Sequence, residues 1–123
     1  IHGRPEEEYP FLMGFADETG EGAGEGFNIN LPLPKGTKWD DYGEALAKAA
    51  AAIRNYAPDV IVVSLGADAY KDDPVSAFKL ESEDFSRIGS AIHKMNLPTL
   101  LVMEGGYAVE ALGINIVNVL AEI

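Results

Sequence analysis

A chain of 123 residues that is 47% hydrophobic can bury one core, but its net charge of −11 offers nothing to displace phosphate counterions, which excludes nucleic acid as a partner. There is no cysteine, so disulfides and thiolate metal sites are excluded, and no apolar run approaches the ~20 residues that cross a bilayer. These features predict one soluble domain over residues 1–123, cytoplasmic and away from membranes, with an acidic surface suited to a cationic substrate.

The chain opens on Ile1-His2-Gly3, which reads as the tail of a strand whose beginning is missing, so a longer protein is expected. Residues 3–26 carry Glu6-Glu7-Glu8, two prolines and glycines at 20, 22, 24 and 26, a composition that predicts a long, flexible covering loop. The glycines do not form a phosphate loop, because no Lys-Ser/Thr follows and no helix opens directly after them. FNINL at 27–31 alternates apolar and polar residues and predicts a short strand ended by Pro32 and Pro34. Asp41 and Glu44 have capping-box spacing ahead of an alanine-rich helix that buries Tyr42, Leu46, Ala49 and Ile53 and closes at Pro58.

VIVVSL at 60–65 is a continuous apolar run, the pattern of a parallel strand buried on both faces. After it, residues 69–81 read as a polar loop with Asp72-Asp73-Pro74 as a turn. Ser82 is positioned to cap a second helix with Phe85, Ile88, Ile92 and Met95 on its apolar face, ended by Asn96 and Pro98. TLLVM at 99–103 predicts another buried strand, and a last helix over about 108–121 buries Leu112, Ile116, Val119 and Leu120. Strands alternating with helices predict an α/β fold, a parallel sheet flanked by helices.

Both apolar runs end in glycine and then a chemically useful side chain: Gly66-Ala67-Asp68 after the first, Gly105-Gly106-Tyr107 after the second. Ligands of open α/β sheets bind beyond the carboxyl ends of the strands, where these residues fall. Asp68 is either a helix or turn cap or a metal ligand, general base or substrate anchor, with Gly66 letting the backbone turn tightly to aim it. Tyr107 is either an aromatic packed at a helix start or a phenol that donates to developing oxyanion charge. His93, on the second helix, reads as a surface or partly buried residue, while His2 lies at a strand end on the active rim. One aspartate cannot hold a catalytic zinc, which usually takes three protein ligands.

VVSLGADAYKDDPVSAFKL and LLVMEGGY, supported by IHGRPEEEYPFLMGFADETGEGAGEG and NLPLPKGT, resemble the arginase/deacetylase superfamily, and within it the bacterial acetylpolyamine aminohydrolases. The resemblance covers almost the whole chain and corresponds to the C-terminal part of that family's α/β domain. It implies zinc-dependent hydrolysis of the acetamide of N-acetylated polyamines or related amines, with Asp68 as one zinc ligand and Tyr107 as the oxyanion donor. It further implies that Gly105 and Gly106 line the tunnel end, that Tyr9 walls the substrate tunnel and that Val75 lies at its rim. His2 is placed beside the active-site strand, and the backbone carbonyls of Ile1 and Phe27 are implied to bind a monovalent cation such as potassium.

The resemblance implies a small acetylated cationic amine as substrate and a homodimeric parent. The remaining zinc ligands and a His-His acid–base pair are expected upstream of Ile1, so the 123 residues alone are expected to be inactive. A protein acetyl-lysine deacetylase is the near alternative. A non-catalytic α/β binding module that has lost the metal is the alternative from another class.

Overall fold

The computed structural model describes residues 1–9 and 11–123; Pro10, inside the expected loop 3–26, lies outside the described residues. Its centre is a pair of parallel strands, here β3 (Ile61–Leu65) and β4 (Thr99–Met103), paired from Ile61↔Thr99 to Leu65↔Met103. The connection between them contains α2 (Ser82–His93), and α3 (Val109–Leu120) follows β4. Ahead of β3 lies α1 (Trp39–Tyr56), and a second parallel pair is formed by β1 (His2–Gly3) and β2 (Pro32–Leu33). The expected parallel α/β arrangement is present, as two separate two-stranded sheets among the described residues.

The core forms where one face of β3 meets the helices. Ile61 and Leu65 pack with Phe85, Ile88 and Ile92 of α2 and Val119 of α3. Phe85, Leu80 and Val119 are completely buried, each contributing roughly 1.5–3 kcal/mol relative to exposure. The amide of Asn118 on α3 donates to Ser82 O at 2.7 Å and fixes the start of α2 against α3.

Several boundaries differ from the expectation, each for a local reason. FNINL is not a strand: Asn28 and Asn30 turn their side-chain amides onto the carbonyls of Glu18 and Phe15, tying the segment to the glycine loop. The strand begins instead at Pro32, the residue expected to end it, and Pro32 needs no N–H there because the carbonyls on either side do the pairing, Leu31 O accepting from His2 N and Leu33 O from Arg4 N. Helix α1 starts at Trp39, so Asp41 and Glu44 lie inside it and form no capping box. Its end is as expected, with Ala57 in the left-handed region (φ 55°) ahead of Pro58.

At α2 the cap is Glu81 rather than Ser82, and the Glu81 N–H donates to Asp84 Oδ2 at 2.9 Å. Residues 69–81 are more than a polar loop, because Tyr70 and Leu80 form a parallel bridge and Phe78 and Leu80 enter the core. In α3 Val119 is buried, whereas Leu120 is 52% exposed. Of the expected loop 3–26, Gly3 belongs to β1, and residues 4–26 hold no regular structure among the described residues except a 3-10 turn at Gly22–Gly24.

Burial of the central strands on both faces is not met in this chain. Val62, Leu100 and Val102, which share the face opposite Ile61 and Leu65, are exposed. Near them an open apolar groove of about 520 Å³ runs between Phe27, Ile29, Tyr56, Val60 and Val62. No helix is long and apolar enough to cross a membrane among the described residues. An apolar strand face of this kind next to an open groove drives association. The 123-residue chain on its own is expected to sediment above its 13.2 kDa monomer mass, and a monomer with one cooperative melt would contradict that.

Candidate active site

The β3–β4 ladder does not stop where the strands do. Glu104 N donates to Leu65 O and Ala67 N donates to Gly105 O, both at 3.0 Å, so the two outgoing segments stay paired beyond the sheet. Asp68 then falls in a 3-10 turn, Ala67–Ala69, with its carboxylate laid against the Gly105 backbone. A methyl group on Gly105 would sit 2.5 Å from Asp68 Oδ2, and one on Gly66 would sit 2.8 Å from Oδ1. The carboxylate occupies the room that both glycines leave.

This corrects the reason for Gly66. Its backbone is ordinary extended chain (φ −83°, ψ 111°), so the residue is needed for space and not for a tight turn. Gly106 is different, because at φ 134° it adopts a conformation that L side chains avoid. It is walled by Ala67 and Leu112, and it delivers Tyr107 to the same rim as Asp68. The Tyr107 side chain is 54% exposed, free to meet a ligand.

Burial, and after it the negative charge of Asp73, push the Asp68 carboxyl above its ordinary range, against the pull of a backbone hydrogen bond. Its ionised form therefore costs folding free energy near neutral pH, a cost that a bound cation would relieve. Burial, with a smaller part from the Asp68 charge, pushes the Tyr42 hydroxyl up to about 12, so this residue is a neutral phenol. The donor set of the chain is incomplete for zinc: among the described residues no group of three or more His, Asp or Glu is placed to hold a metal ion. Asp68 suits one coordination position and cannot close a site.

The other expected residues are scattered around this rim and beyond it. His2 is half-buried, its Nδ1–H donates to Gly3 O at 2.8 Å, and its buried Nε2 has no hydrogen-bond partner. Tyr9 (82%) and Val75 (61%) are exposed. Ile1 and Phe27 line the apolar groove together. His93 is exposed at the end of α2, as expected.

One residue at the site escaped the sequence reading. Asp73, which the sequence marks only as part of a turn, is buried and receives the N–H of Tyr107 at 2.7 Å and that of Ala108 at 3.2 Å on Oδ2. Its turn role is also real, since Oδ1 accepts from Val75 N and Ser76 N. Asp72-Asp73-Pro74 signals the turn, but nothing in it says which aspartate turns inward.

Comparison with known proteins bears on this geometry. The family model described as histone deacetylase domain matches residues 1–123. Acetylpolyamine amidohydrolase 1 of Pseudomonas aeruginosa is 58% identical over 120 residues, 98% of this chain and 35% of that protein. The acetylpolyamine amidohydrolase of Mycoplana ramosa is 45% identical over the same shares of each. A crystal structure of acetylpolyamine aminohydrolase from Burkholderia pseudomallei superposes with a TM-score of 0.96 at 42% identity, covering 99% of this chain and 36% of that one. The arginase/deacetylase-like fold is thereby shown, and the chain spans about a third of the length of the relatives it matches.

The close approach at Gly105 is testable. Gly105→Ala is expected to destabilise by about 1–3 kcal/mol in equilibrium denaturation. Adding Asp68→Ala, which removes the carboxylate it collides with, should recover most of that loss, and strictly additive effects would contradict the contact.

Proposed function

The chain belongs to the histone deacetylase domain family, and from that premise we propose that the whole protein hydrolyses the acetamide bond of N-acetylated polyamines or related acetylated amines. The observation that carries the reading is the pairing of Ala67 N with Gly105 O, which brings a desolvated carboxylate and an exposed phenol to one rim. Preference for polyamines over acetyl-lysine in proteins is supported by identity: 44–58% to relatives named acetylpolyamine amidohydrolases, against 35% to histone deacetylase 8 of Arabidopsis thaliana. The net charge of −11 favours approach of a cationic amine.

In this reading Asp68 is one donor to zinc, the others being supplied from outside residues 1–123 together with the histidines that move protons. When bound, zinc supplies Lewis-acid polarisation of the carbonyl and lowers the pKa of water. Within the chain, the Tyr107 hydroxyl donates a hydrogen bond to the carbonyl oxygen as it gains negative charge, and Gly105 and Gly106 would line the end of the substrate tunnel. Tyr9 and Val75 would flank the substrate path, His2 would support the rim, and the carbonyls of Ile1 and Phe27 would hold a monovalent cation such as potassium. A cytoplasmic homodimer completes the proposal.

In the whole protein Tyr107→Phe is expected to cut turnover of an N-acetylated diamine by about 100-fold or more with zinc retained, the scale of losing one oxyanion donor. Unchanged turnover would remove Tyr107 from the chemistry. Asp68→Ala should lower zinc content measured by elemental analysis, and full occupancy would sink its role as a ligand.

A further inference from the structure

Resting on the hydrolase reading above, we propose that Asp73 is the positioning residue of Tyr107, the group that fixes where the phenol stands relative to Asp68. The side chain of Tyr107 is half exposed, so its direction has to be set from the backbone end. Two constraints act there. Gly106, at φ 134° between Ala67 and Leu112, confines the approach of the chain. Asp73 Oδ2 then takes the N–H of Tyr107 itself and of Ala108, the residue that precedes α3.

Alanine at that position has no side chain with which to cap the helix, and Asp73 supplies the cap from a loop 34–35 residues earlier in the chain. Hydrogen bonds from N–H to an ionised carboxylate are roughly twice as strong as neutral ones, and the helix dipole adds to them at an N-terminus.

The other oxygen makes the arrangement a clamp. Oδ1 accepts from Val75 N at 2.8 Å and Ser76 N at 3.3 Å, and Asp73 N donates to Tyr70 O at 3.0 Å. The loop that holds Asp73 starts at the turn bearing Asp68 and is closed by the Tyr70–Leu80 bridge. One buried carboxylate therefore ties the loop of the carboxylate at the site to the loop of the phenol. Asparagine cannot replace it: one acceptor oxygen would remain, and the amide N–H₂ would face a pair of N–H donors.

The test is made in the whole protein with an N-acetylated diamine. Asp73→Asn is expected to lower kcat by about 10–100-fold, the scale of misplacing a reacting group or losing its supporting shell, with zinc content unchanged. KM is expected to move by no more than about twofold, since the phenol acts in the transition state. Asp73→Asn combined with Tyr107→Phe is expected to be no slower than Tyr107→Phe alone, because Asp73 acts through the phenol.

Losses that multiply in the double variant, or an undiminished kcat in Asp73→Asn beside a crippled Tyr107→Phe, would overturn the positioning role and leave the hydrolase reading standing. An undiminished Tyr107→Phe overturns both. If Asp73→Asn does not fold, Asp73→Ser is measured in its place. Failure of both to fold would overturn the proposal by assigning Asp73 to the fold as a whole.

Discussion

The register of one parallel strand pair governs the site. With Leu65 opposite Met103, β3 and β4 end level, and two further backbone hydrogen bonds carry the pairing on to Ala67 and Gly105. A slip of one residue would turn every side chain of a strand to its other face, taking Ile61 and Leu65 out of the core. It would also part Asp68 from the glycine that accommodates it. Core packing and the geometry of the candidate site are therefore held by the same hydrogen-bond ladder.

Two aspartates five residues apart are used in opposite ways. Asp73 is buried and answered by four backbone N–H groups, which makes it a structural tie. Asp68 is desolvated and set in the field of Asp73, so its charge is left for something else to answer. Four donors on one carboxylate and so few on its neighbour leave the second as the one able to take a ligand, in line with the role proposed for it. The glycines at 66 and 105 serve the same end by leaving the carboxylate uncrowded.

The face of β3 and β4 turned away from α2 is apolar and open at Val62, Leu100 and Val102. The apolar groove beside Phe27 and Tyr56 continues the same uncovered surface. A continuous Val/Ile/Leu strand is the sequence pattern of burial on both faces. The chain spans about a third of the length of its relatives, and its sequence carries a burial pattern that its own residues satisfy only on one side.

The alternation of strands and helices, the strand ends that precede Asp68 and Tyr107, and the helix end near Pro58 were legible in the sequence, because periodicity and proline act over a few neighbouring residues, whereas α2 stops at His93, short of the expected Met95. Caps and edges were less legible: Glu81 displaced Ser82, and Asn28 and Asn30 bound a loop in place of a strand, since several local partners compete and tertiary contacts choose among them. The burial of Phe78 and Leu80 was concealed by the polar residues around them. Sequence alone determined the fold class and that Asp68 and Tyr107 follow the carboxyl ends of the two central strands. Only the tertiary structure decided that Gly66 is there for space, that Asp73 reaches Tyr107 across 34 residues, and which strand face is covered. These depend on distances between segments remote along the chain, and no local pattern encodes a distance of that kind.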